Sequence, residues 1–102
     1  MTVHTICNNK CACTIWDAAE NALNIAKHGV SFELARRIFD GPVLTVLDGR
    51  ENYGELREIS IGMVDGIAVL TVVHTDREGK VRIISARPAT PRERRRYEEA
   101  IR

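Results

Sequence analysis

No stretch of the 102-residue chain approaches the roughly 20 consecutive apolar residues that a membrane-spanning helix requires. The N-terminus also lacks the basic start and apolar core of a secretory signal, so a cytoplasmic protein without membrane association is expected. Cysteine is scarce: there are three, Cys7, Cys11 and Cys13, an odd number that argues against a closed disulfide set. With His4 they bring four soft donors close in sequence, but the spacing contains no C-x-x-C knuckle and matches no common zinc site, so no metal is expected. Internal repeats and low-complexity segments are absent too. With 44% hydrophobic and 28% charged residues the composition excludes a disordered chain. The length allows one modest core but not two. The expected organisation is an N-terminal extension over 1–13, without sustained periodicity and expected to be flexible, followed by a single domain over 14–102.

The formal net charge of +1 conceals an asymmetry. Residues 1–76 carry six Lys/Arg against ten Asp/Glu, whereas residues 77–102 carry nine against four. Eight of those nine are arginines, the side chain best suited to bidentate phosphate contact. Such a charge run also suits a solvated, salt-bridged helix, and a helix turns about 100° per residue, so Arg94, Arg95 and Arg96 cannot form one clamp.

Local signals predict an α+β order. A β-prone Thr14-Ile15-Trp16 leads to Asp17, an N-cap for a helix to about His28 that Gly29 stops. Ser31 caps a second helix from Phe32 to about Phe39, which Gly41-Pro42 ends. Val43–Leu47 reads as a strand, and Arg57–Val64 alternates as a half-buried one. Asp65-Gly66 joins the latter by a hairpin to an apolar strand from Ile67 to Val73, which belongs in the middle of the sheet. Val81–Ala86 forms the last strand, and Thr90 caps a final helix with Pro91 at its first position. The whole is a short N-terminal strand, two helices, a four-stranded antiparallel meander and a C-terminal helix.

Strict alternation puts Glu55 and Arg57 on one face with Ile59, Ile61 and Met63. It puts Arg87 with Val81, Ile83 and Ser85, and Arg82 on the other face, so the two arginines share a pocket only if the strand bends or ends between them. His74 and Arg77 are expected just past the central strand. Cleavage of RNA without a metal needs a base for the 2′-hydroxyl, an acid for the leaving 5′-oxygen, and cations for the charge of the transition state. Lys27, His28, Glu55, His74 and Tyr97 are candidates for proton transfer; Arg57, Arg77, Arg82 and Arg87 are candidate phosphate clamps. Which group is acid and which base is not separable from the sequence. A histidine at a helix end, such as His28, serves equally as a partner of the helix dipole.

Trp16-Asp17, Asn24, Lys27-His28-Gly29-Val30-Ser31-Phe32, Glu55-x-Arg57, Gly62, Val72-Val73-His74-Thr75-x-Arg77 and Arg82-Ile83-Ile84-Ser85-Ala86-Arg87-x-Ala89, followed by Glu93-Arg94 and Tyr97, form a pattern that resembles the BrnT family of bacterial toxins. The resemblance runs from Trp16 to Tyr97. It implies a RelE-like fold and a metal-independent endoribonuclease, without cofactor, that cuts mRNA and so inhibits translation and growth. His28, Glu55, Arg57, His74, Arg77, Arg82 and Arg87 would be its catalytic set, and Lys27, Arg94 and Tyr97 would bind RNA. It also implies a BrnA-like ribbon-helix-helix antitoxin as partner, with DNA engaged only through that antitoxin. An alternative is a catalytically weak binding module that acts mainly as the partner of such an antitoxin in operon autoregulation. Glu20, where the family usually has Lys, favours that alternative.

Overall fold

The computed structural model describes residues 14–48, 57–66, 68–77 and 79–101. The cysteine-bearing segment 1–13 and Glu55 lie outside the described residues. Nine elements follow in chain order: β1 (Thr14–Ile15), α1 (Ala18–His28), α2 (Phe32–Ala35), a 3₁₀ helix (Arg36–Asp40), β2 (Val43–Leu47), β3 (Arg57–Val64), β4 (Ala68–Arg77), β5 (Lys80–Pro88) and α3 (Pro91–Ile101). The sheet order is β1-β5-β4-β3-β2. The meander β2 to β5 is antiparallel throughout, and β1 adds to β5 in parallel. The central place of β4 follows from its apolar character on both faces.

Short-range chemistry fixes most boundaries. The Asp17 carboxylate accepts from the Ala19 and Glu20 amides and starts α1, and Gly29 at φ 73° ends it. Ser31 Oγ accepts from the Leu34 amide at 3.0 Å and starts α2. Asp65 (φ 54°) and Gly66 (φ 71°) both take the left-handed conformation that a two-residue hairpin turn with right-handed strand twist demands. Thr90 and Glu93 form a reciprocal capping box, Glu93 N–H donating to Thr90 Oγ1 at 3.1 Å and Thr90 N–H to Glu93 Oε1 at 2.9 Å.

The second helix departs from the expected single α-helix over Phe32–Phe39: it tightens to 3₁₀ at Arg36. Phe32, Ala35 and Ile38 are all fully buried at intervals of three, the period of a 3₁₀ helix. The tightening seats Ile38 directly over Gly62. A Cβ at Gly62 would lie 2.7 Å from Ile38 Cβ, so only glycine allows this approach.

Helices cover the two sheet faces unequally. On the first face Val30, Phe32, Ala35, Ile38 and Phe39 pack on Val64, Leu70, Val72, Val81, Ile83 and Ala86. On the second, Tyr97 of α3 packs with Ile61 and Val69, and its hydroxyl donates to Pro42 O at 3.0 Å. Toward the other end of this second face Arg57, Ile59, Val73, Arg82 and Ser85 are only half-buried.

Candidate active site

A break in alternation on β5 assembles the basic residues. Val73 pairs with Ser85 but His74 pairs with Ile83, so Ile84 is an extra residue on β5, a β-bulge. Without it Arg82 and Arg87 would face opposite sides. With it, Val81, Ile83 and Ala86 all reach the core, while Arg82 (paired with Thr75) and Arg87 (paired with Thr71) both lie on the second face. The expectation from strict alternation is thereby corrected, because the strand does bend between the two arginines.

The bulge sits where the sheet edge changes its cover. Among the described residues β1 pairs with Val81 and Arg82 of β5. Beyond that point the Asn24 side chain takes the place of a neighbouring strand. Its Nδ2 donates to Ala86 O at 2.7 Å and to Val30 O at 2.8 Å, and its Oδ1 accepts from Ala86 N–H at 3.1 Å. Asn24 thus ties α1 to β5 and satisfies edge groups that burial would otherwise orphan.

Arg57, Thr75 and Arg82 stand in one row across β3, β4 and β5. Two strand spacings, about 10 Å, separate the two arginine backbones, within reach of guanidinium groups converging above Thr75. Arg87 lies two rows along, roughly 14 Å by the rise of a strand. It is held there by a bidentate ion pair with Glu93, both contacts 2.8 Å. Arg82 Nη2 donates to Glu20 Oε1 of α1 at 3.3 Å. Around the β5 edge a shallow cleft is lined by Glu20, Leu23, Asn24, Lys27, His28, Ile84 and Ser85. Lys27 and His28, the last two residues of α1, therefore sit next to Ser85, which shares the second face with Arg82 and Arg87.

The structure places Arg57, Arg82 and Arg87 on one sheet face and Lys27 and His28 in the cleft beside Ser85, and places the other candidates elsewhere. Arg77 is the last residue of β4, paired with Lys80. Arg94 is exposed on α3, beside Ala89 and Pro91. Tyr97 is buried under α3. His74 lies inside β4, not past its end, with 0% exposure on the first face, its ring edge-on to Phe39 at 5.3 Å between centroids. Its Nε2 is 2.7 Å from Ser60 Oγ, which in turn is 2.7 Å from Thr45 Oγ1. Glu58 Oε1 lies 3.8 Å from His74 Nδ1. A buried polar chain thus crosses β2, β3 and β4 beneath the 3₁₀ helix. Burial and the nearby Asp76 charge raise the Glu58 carboxyl above the ordinary carboxylate range.

Glu93 shows the opposite shift. The Arg87 hydrogen bonds, helped by the Thr90 amide and the Thr71 hydroxyl, outweigh burial and hold its carboxyl at about 2. A lowered carboxyl stabilises the fold fully above its unfolded pKa, roughly 4.3, and that contribution is lost as pH falls toward 2. Glu93→Gln is therefore expected to cost about 1–3 kcal/mol in urea unfolding at pH 7. The difference from wild type should shrink steadily between pH 4 and pH 2.

Sequence reasoning passed over Ser85, Ser60 and the pairing role of Glu93. Only Glu93 had a signal, the Thr-x-x-Glu spacing of a capping box. Asn24 belongs to the motif but had no role until the sheet edge was visible.

The chain is a small α+β domain that arrays arginines on a partly open sheet face, beside a cleft lined by Lys27 and His28. The model of the family described as "Ribonuclease toxin, BrnT, of type II toxin-antitoxin system" matches residues 16–93. The crystal structure of the Brucella abortus ribonuclease toxin BrnT is similar, with a TM-score of 0.57 and 25% identity over 76% of this chain and 95% of that one. No curated protein matches. The chain belongs to the BrnT family of ribonuclease toxins of type II toxin–antitoxin systems.

Proposed function

We propose that this protein is a cytoplasmic endoribonuclease toxin that cleaves mRNA without a metal, with the second sheet face as its RNA-binding surface. The observation that carries this reading is the β5 bulge, which turns Arg82 to the face that holds Arg57 and Arg87. Arg57 and Arg82 clamp the scissile phosphate over Thr75. Arg87, fixed by Glu93, and the exposed Arg94 serve phosphates further along the strand. Attack of the 2′-oxygen on phosphorus forms one P–O bond and breaks the bond to the 5′-oxygen. The 2′-proton goes to a base and the leaving oxygen receives one from an acid. Lys27 and His28, in the cleft beside Ser85, are the proposed proton-transfer groups; Glu55 and Arg77 complete the proposed set. His74 acts on this reading through the polar chain that aligns β2, β3 and β4, and Tyr97 through the packing of α3 that supports Glu93 and Arg94.

A type II toxin implies an antitoxin partner. The proposed partner is a BrnA-like ribbon-helix-helix protein that covers the same arginines and carries the DNA contacts. Charge complementarity favours such overlap, since groups that hold phosphate also attract an acidic segment. Expression of the toxin alone should arrest growth and deplete mRNA, and co-expression of the neighbouring antitoxin should restore growth. Arrest that persists in the Arg57→Ala/Arg82→Ala double variant at equal protein level would count against the reading, and absence of arrest by the wild type would favour the binding module.

A further inference from the structure

Arg87 and Arg82 on the basic face form ion pairs with described carboxylates, and the two pairs are built differently. Glu93 is locked in place. It meets Arg87 in two contacts of 2.8 Å and also accepts from Thr71 Oγ1 at 3.0 Å and from the Thr90 amide at 2.9 Å. Its side chain is 23% exposed. Glu20 meets Arg82 in a single 3.3 Å contact, and its side chain is 41% exposed. Among the described residues the Glu20 carboxylate has no second partner. It projects from the first turn of α1, and its contact spends one of the five N–H donors of the guanidinium. Of the two, Glu93 is a structural counter-ion and Glu20 a displaceable one.

We propose that Glu20 occupies the phosphate seat on Arg82 as an internal competitor, which RNA must displace, so that Glu20 sets both the affinity and the salt sensitivity of RNA binding. The inference rests on the reading of the second sheet face as the RNA surface. A single-contact ion pair whose carboxylate side chain is 41% exposed is weak enough to give way to a phosphate, whose two free oxygens match the guanidinium fork better than one carboxylate oxygen at 3.3 Å. Once displaced, the carboxylate remains tethered to α1 near the bound phosphate and repels it. Arg82 thus contributes less net positive charge to the complex than an arginine without such a neighbour.

The test is fluorescence anisotropy with a labelled single-stranded 2′-O-methyl RNA, which cannot be cleaved by 2′-attack, between about 50 and 200 mM salt. Glu20→Gln keeps the side-chain shape and removes the charge. It should tighten binding roughly 3–10-fold at the lower salt and steepen the slope of log K against log salt by about one unit. Glu33→Gln changes net charge equally from an exposed site on α2 and should alter binding less than about twofold. In an Arg82→Ala or Arg82→Lys background the effect of Glu20→Gln should largely vanish in the first and persist in reduced form in the second. Equal tightening by Glu20→Gln and Glu33→Gln, or a gain that survives intact in Arg82→Ala, would overturn the proposal, since charge would then act through the bulk field. If Arg82→Ala weakens binding while Glu20→Gln changes nothing, this inference fails and the RNA surface stands. If wild type and Arg82→Ala bind alike, the RNA surface itself is refuted, and the inference with it.

Discussion

Arg82→Ala is expected to lower the rate of RNA cleavage by about 10²–10³-fold while leaving the unfolding free energy within about 1 kcal/mol of wild type. The two expectations come from the same geometry. The Arg82 guanidinium makes one 3.3 Å hydrogen bond, to Glu20, so its removal costs the fold little beyond the packing of a side chain that is 23% exposed. Toward a pentacoordinate phosphorus, by contrast, a preoriented guanidinium stabilises charge that develops only in the transition state. The loss should therefore appear mainly in kcat. Arg57→Ala should behave alike if both guanidiniums meet over Thr75, and the double variant should lose little more than either single one, as groups acting as a unit do. Arg87→Ala is expected to differ. It strips Glu93 of two hydrogen bonds, so a fall in stability would accompany any loss of activity.

Asn24→Ala should have the largest effect on the fold, about 3 kcal/mol in urea or thermal unfolding. The substitution removes three hydrogen bonds and leaves the N–H and C=O of Ala86 and the C=O of Val30 without those partners in a buried place. Asn24→Asp keeps the acceptor for Ala86 N–H but points an anion at two carbonyl oxygens, so it should be no milder. Because the amide covers β5 next to the Ile84 bulge, cleavage by either variant should fall even under conditions where the protein stays folded. A variant with wild-type stability would mean that β1 and α1 hold the sheet edge without Asn24.

Elements whose ends are set by local chemistry were legible in the chain. Asp17, Gly29, Ser31, Asp65-Gly66 and Thr90-Pro91 each act within a few residues, and the structure uses every one as expected. The 3₁₀ turn at Arg36 was not legible, because its cause is a distant contact, Ile38 against Gly62. The bulge was hidden for a similar reason. Arg82-Ile83-Ile84-Ser85-Ala86-Arg87 contains no glycine or proline to mark a kink, and the bend goes with two partners elsewhere in sequence, β1 on one side and Asn24 on the other. As a result, strict alternation assigned Arg82 and Arg87 to opposite faces, whereas the register puts both on one. His74 illustrates the converse. Its spacing among β residues placed it near the sheet, while its full burial depends on Phe39, Ser60 and Glu58, which meet only once the strands are in register.

Cleavage of RNA by 2′-hydroxyl attack with no metal is the central expectation for this protein. The most direct measurement is incubation of the purified wild-type protein with a defined RNA in excess EDTA, followed by analysis of the product ends. Fragments ending in 2′,3′-cyclic phosphate and 5′-hydroxyl are expected, and an intact strand when the cleaved nucleotide carries a 2′-deoxy sugar. Products bearing 5′-phosphate, cleavage abolished by EDTA, or cutting of the 2′-deoxy substrate at the same position would contradict it.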